Sequence, residues 1–202
     1  MHIRVSAILC ASLAHGEHGA VLRLLTADHG LVAAYLAGAR GRELRPLLIP
    51  GNLLEADIRA RGDSQLPSAK IELVASRGPW LTEPLASAGI GWACALTAAT
   101  LPEGHPYPAL HAALGALLDA ICHAPSARGW ALALAGYEAL LLREVGYGAA
   151  PMPPATEDWP ALLARLDRQG QTIAHRLLAD RRRDVMAARA ILLERLIRIN
   201  AD

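Results

Sequence analysis

The feature that most constrains this chain is a change of pattern at Arg77-Gly-Pro79. Before it, short apolar segments are separated by glycine turns. Ile3, Val5, Ala7 and Leu9 fall on one face of the first segment, the period-two signature of a half-buried strand. After it, apolar residues recur at three and four residues, the helical period. Strands first and helices afterwards make an α+β chain with the two kinds of element in separate domains.

Strand-like segments lie near residues 3–12, 19–27, 30–37, 47–60 and 66–75, and residues 40–46 fit a turn of helix between the third and fourth. Five short strands joined by glycine turns match an OB-like β-barrel. The expected domains are the barrel over 1–78 and an all-helical domain over 79–202. Thr82 is placed to cap a helix running to about Thr100, with Pro84 in its first turn. A second helix covers 109–123, where Leu110, Leu114, Leu117, Leu118 and Ile121 share a face. Ser126 is placed to cap a third, which stops at Gly146-Tyr-Gly148 by a C-terminal glycine. After a Pro-rich connection over 149–158, helices follow over 159–178 and 185–199. Val185, Ala188, Leu192, Leu196 and Ile199 share one face of the last.

Apolar residues make up 53% of the chain, enough for a buried core. The formal net charge of +1 hides an uneven distribution. Residues 1–78 carry eight Arg and one Lys against seven acids, a net of +2. Residues 79–164 carry two Arg against seven acids, −5, and residues 165–198 nine Arg against four acids, +5. An anionic polymer finds positive ground at both ends. Lys70 is the only lysine, and arginine suits phosphate geometry better. Cys10, Cys94 and Cys122 form no C-x-x-C pair and read as reduced core thiols of a cytoplasmic protein. The opening residues read as a first strand rather than a signal peptide, because the charged region is weak. The uncharged run Leu85 to Leu101 is short for a membrane span and bounded by Pro84 and Pro102, so it reads as a buried helix, with no membrane partner.

The connection Leu36-Ala-Gly-Ala-Arg-Gly-Arg-Glu-Leu-Arg45 carries the clearest functional signal. Arg40, Arg42 and Arg45 on one barrel loop can bridge successive phosphates and release counterions as they bind. Arg59 and Arg61 alternate on a strand, either extending a basic stripe or forming an ordinary wet face. Arg181, Arg182 and Arg183 form the densest basic run, either a second DNA contact or an anchor for an acidic peptide, or else a helix surface or junction near a helix C-terminus whose dipole they meet. Base stacking has little support, since the chain has no Phe and its barrel only Tyr35. His15-x-x-His18 has metal-like spacing but no evident third ligand. Gly38-x-x-Gly41 lacks the phosphate-loop pattern, no Ser sits in a nucleophile elbow, and Glu138 and Glu144 read as acids on a wet helix face. No catalytic constellation stands out.

The order of these motifs resembles the recombination mediator family RecO. The matching pieces are Gly16-Glu17, Thr26 with Gly30, Gly38-Ala39-Arg40, Leu48-Ile49-Pro50, Leu53-Leu54-Glu55, Gly62, and a helix from Tyr137 that closes in Gly146-Tyr-Gly148. The resemblance covers residues 5–148; beyond it the chain matches only in being helical and basic. It implies a non-enzymatic protein that binds single- and double-stranded DNA and promotes annealing. Such a protein helps load the recombinase RecA onto strands coated by single-stranded DNA-binding protein. It also implies RecR as partner, a nucleoid-associated location, and a helical domain that receives the acidic, hydrophobic tail of single-stranded DNA-binding protein. Three positions depart from the family. Ala37 stands where a Lys is usual, and Gly51 where a Phe is common. The segment 149–156 has no Cys where many relatives hold zinc, so no metal or other cofactor is expected. The missing Lys and scarce aromatics leave open a protein-interaction adaptor whose barrel no longer binds DNA. A small metal hydrolase on His15 and His18 ranks last.

Overall fold

The computed structural model describes residues 2–60, 65–147, 151–179 and 183–199. The chain forms two compact units, Met1–Thr82 with Leu101–His111, and Glu83–Thr100 with Ala112–Asp202.

In the first unit, strands β1 (His2–His15), β2 (Gly19–Thr26), β3 (Gly30–Leu36), β4 (Leu53–Arg59) and β5 (Ser68–Ala75) close a barrel in the order β1-β2-β3-β5-β4. All neighbours are antiparallel except β3 and β5, which pair in parallel at Tyr35 and Ser68. Alternation decides what fills the bore. Leu9, Leu22, Leu24, Leu36, Leu54 and Ile58 point inward, interleaved with Ala7, Ala20, Ala34 and Ala56, so the centre packs without any Phe. The register slips between Leu9 and Ala11, leaving Cys10 as the bulged residue. Burial pushes its thiol up to about 12, so it stays protonated and unreactive at neutral pH.

The fourth strand begins at Leu53, not at 47 as the apolar run Leu47-Leu-Ile49 implies. Arg45–Leu48 forms a 3-10 turn instead, started by Pro46, whose fixed φ suits a first helical turn and whose missing N–H cannot serve a ladder. Segment Leu101–His111 closes on the barrel: Leu31 bridges to Glu103, and the Gly104 N–H donates to the Leu31 carbonyl at 3.0 Å. Gly30 (φ +66°) is required there, because an added Cβ would overlap the His105 carbonyl.

The helical elements are α1 (Pro84–Thr100), α2 (Pro108–His123), α3 (Arg128–Glu144), α4 (Trp159–Arg176) and α5 (Arg183–Arg198). Neither expected hydroxyl cap forms. Thr82 lies in a 3-10 turn (Gly78–Thr82) and donates to the Pro79 carbonyl, while α3 starts after Ala127 with no side-chain cap. The glycine stop of α3 is a complete Schellman motif: Tyr147 N–H bonds to Leu142 and Gly146 N–H, at φ +90°, to Arg143. Among the described residues no helix is long and apolar enough to cross a membrane.

Sequence reasoning missed the centre of this unit. Glu138 is fully buried, not wet. Its carboxylate accepts from Trp92 Nε1 at 2.7 Å and from Arg189 Nε and Nη2 at 3.2 and 2.9 Å. Arg189 also donates to the Leu166 carbonyl and lies over the Trp92 ring. Side chains of α1, α3 and α5 and the backbone of α4 thus share one buried polar knot.

Candidate nucleic-acid interface

The arginine loop is built from inside outward. Gly38, at φ +68°, reverses the chain after β3, and the Gly41 N–H donates back to its carbonyl at 2.8 Å. Leu44 and Arg45 N–H groups then bond to the Gly41 carbonyl, leading into the 3-10 turn. Ala39 is buried in the barrel core and Leu44, Leu47 and Leu48 pack against it. With those positions turned in, Arg40, Arg42 and Arg45 are turned out. All three are exposed, and none forms an ion pair among the described residues. Glu43 is the one acid in that exposed run.

Asn52 braces this loop and was not singled out from sequence. It is fully buried; its amide donates to the Pro46 and Leu47 carbonyls at 3.1 Å each, and its oxygen accepts from the Arg77 N–H at 2.7 Å. A buried amide with three backbone partners is costly to remove, because each partner then loses its only substitute for water. Asn52→Ala is expected to lower stability by about 2–4 kcal/mol in urea unfolding. Trypsin should then cut first at Arg40 or Arg42. A loss below about 0.5 kcal/mol would mean that the loop holds itself.

Several other barrel cations are engaged, although the exposed Lys70 forms no ion pair among the described residues. Arg59 grips Asp57 through Nε and Nη2 at 2.9 and 2.8 Å, and that pair holds the Asp57 carboxyl below its ordinary range. His2 bonds to the same carboxylate at 3.0 Å. Arg4 lies 3.9 Å from Glu55 and 3.8 Å from Glu72, and Arg23 pairs with Glu103. The strand carrying Arg59 ends there, and Arg61 lies outside the described residues. Arg181 and Arg182 also lie outside them, whereas Arg183 opens α5. Among the described residues no three His, Cys, Asp or Glu are placed to hold a metal, which leaves His15 and His18 without a ligand set.

The helical unit carries a second basic surface. Arg165, Arg168, Thr172 and Arg176 recur along one face of α4 and line a groove of about 510 Å³ with Leu142, Tyr147 and Pro151. Arg165 is held by Glu157 through two 2.8 Å bonds. Those bonds keep the Glu157 carboxyl below its ordinary range, so the pair's contribution persists above that range and is lost as pH falls through the lowered value. Arg168 and Arg176 are exposed. Gln169 also lines the groove; its amide donates to the Ala135 carbonyl at 2.9 Å, while its buried oxygen has no hydrogen-bond partner among the described residues.

Comparison with known families gives a consistent answer for both units. Recombination protein O N terminal matches residues 1–77, and Recombination protein O C terminal matches residues 81–150. The chain belongs to the RecO family. Among RecO relatives, the DNA repair protein RecO of Phenylobacterium zucineum (strain HLK1) is 41% identical over 150 residues, 73% of this chain and 60% of the relative. That of Jannaschia sp. (strain CCS1) is 39% identical over 149 residues, 73% of this chain and 59% of the relative. That of Ruegeria sp. (strain TM1040) is 40% identical over 149 residues, 73% of this chain and 61% of the relative. The match therefore spans about 60% of the length of these RecO proteins.

Proposed function

We propose that this chain is a non-enzymatic DNA-binding mediator of recombinational repair. Its barrel grips the phosphate backbone through Arg40, Arg42 and Arg45. The observation that carries this reading is the loop itself: three exposed arginines, without ion pairs among the described residues, on a backbone locked to the barrel core by Leu44, Leu47 and Asn52. Cations fixed in place but left without acids are suited to a polyanion. Binding of both single- and double-stranded DNA, strand annealing, RecA loading, partnership with RecR and residence at the nucleoid follow from the family resemblance. The test is a titration of fluorescent single-stranded DNA between 50 and 200 mM salt. Three phosphate contacts give a log–log slope of about −2. A flat slope or no binding favours the adaptor reading.

The same proposal assigns the α4 groove to the acidic tail of single-stranded DNA-binding protein. Arg168 and Arg176 face its acids, Leu142 and Tyr147 its apolar end, and the Gln169 oxygen a peptide N–H. Replacing Arg168 and Arg176 with Glu is expected to weaken tail-peptide binding at least ~10-fold, since each charge-assisted bond is worth about 1.5–3 kcal/mol. Fluorescence anisotropy measures it, and unchanged binding by the folded variant would move the tail site off α4.

A further inference from the structure

Beside the β1–β2 turn the barrel carries a second recess that the arginine loop does not use. It is an open hollow of about 470 Å³, lined by His15, Gly16, Glu17, His18, Tyr35 and Leu66. Its floor is the Tyr35 ring. Leu36 and Ala34 point into the bore, so alternation sends Tyr35 to the outer face of β3. Gly19, its neighbour strand's first residue, lets the ring lie against the β2 backbone, and an added Cβ there would overlap it. The His15 ring stands edge-on to Tyr35, with centroids 5.9 Å apart and planes at 76°. Leu66, exposed, supplies an apolar wall from the segment entering β5. His18 lies on the rim, 3.8 Å from the Glu17 carboxylate.

We propose that this hollow seats one unpaired nucleobase of a bound DNA strand, stacked on Tyr35 between His15 and Leu66. The inference rests on the barrel's reading as a DNA-binding domain. Two observations point to a base rather than a phosphate. The lining offers rings and an apolar side chain, and its only full charge of fixed sign is the Glu17 carboxylate, which repels phosphate. A base presents a π-face and neutral edges, which suit these walls. The recess lies at the β1–β2 turn and beside the β4–β5 connection, the loops with which OB barrels hold oligonucleotides. Continuity with the phosphate loop comes from the chain itself: Tyr35 precedes Arg40 by five residues, which spans at most about 18 Å. One strand can therefore place its backbone on Arg40 and a neighbouring base on Tyr35.

The experiment uses the full chain and two fluorescent strands at 50 mM salt, oligothymidylate and the same backbone with abasic sites. The thymidylate strand is expected to bind about 5- to 100-fold more tightly. Tyr35→Leu, which keeps apolar bulk against Gly19, and His15→Ala should shrink that ratio. Both should leave the salt slope unchanged, since stacking releases no counterions. Photo-crosslinking of a 5-iodouracil strand to the unmodified protein should mark Tyr35, His15 or His18, independently of any variant's folding. Equal binding of both strands, or crosslinks confined to other residues, would overturn the base seat and leave DNA binding standing. Failure to bind either strand would remove the DNA-binding reading and the base seat with it.

Discussion

Replacing Arg189 with Met is expected to destabilise the helical unit by about 3–5 kcal/mol, the largest effect of any single change considered. The substitution leaves the Glu138 carboxylate without its cation at a site with no exposure. Burial already pushes that carboxyl above its ordinary range, opposed by Arg189 and by the Trp92 indole. Against a total of about 5–15 kcal/mol for a typical domain, the loss would leave the unit close to unfolding at 37 °C. The paired change Arg189→Met with Glu138→Gln should recover much of it. Both charges are then gone, and a glutamine oxygen can still accept from Trp92. Urea unfolding of the two variants measures the difference. A single variant within about 1 kcal/mol of the parent would show that water reaches the pair. Gly170→Ala should act in the same direction, because its added Cβ would overlap the Arg189 guanidinium.

Removing Arg40, Arg42 and Arg45 together is expected to weaken single-stranded DNA binding about 100-fold at 0.1 M salt. It should also reduce the log–log salt slope by about 2, at about 0.7 per lost phosphate contact. The two numbers are one effect read twice: each contact contributes ~0.7 decades of affinity for every decade of salt below 1 M. The side chains are exposed, so the triple alanine variant should fold as the parent does. Filter binding across salt checks it. An unchanged slope in the folded variant would place the phosphate contacts on other cations. Arg59 is the informative contrast. Its guanidinium already holds Asp57, so Arg59→Ala should change the slope less than any one of the loop arginines.

Which parts could be read from the sequence follows from how local their causes are. The barrel strands were legible because a half-buried strand alternates, as Ile3, Val5 and Ala7 do against the exposed His2, Arg4 and Ser6. The stretch 47–52 was not, because Leu47-Leu-Ile49 is apolar in the manner of a strand. What makes it a turn is Pro46 behind it and the Asn52 amide reaching back to two carbonyls, the second of which only the fold supplies. The exposed arginine loop was legible as a cluster, but the engagement of Arg59 by Asp57 turns on which side chains share a strand face. Glu138 was misread because acids at that spacing are common on wet helices. Yet a signal was present: Leu134, Leu141 and Leu142 surround it at helical spacing, and Arg189 stands three residues before Leu192 on an apolar stripe. Two lone opposite charges, each on the greasy side of its own helix, are the mark of a buried pair.

The parallel join between β3 and β5 sets how the barrel opens. Every other seam is a ladder of seven or eight residue pairs, whereas this one rests on Tyr35 opposite Ser68 and on the Tyr35 N–H bonded to Pro67. It also joins segments more than thirty residues apart, so its closure carries more chain entropy than a hairpin does. The ring is therefore a sheet with a latch, and fluctuations that unroll it begin at the latch. Tyr35 is at once the latch residue and the floor of the hollow. A strand resting on that ring would hold the cylinder shut, coupling the barrel's resistance to unrolling to whether its groove is occupied.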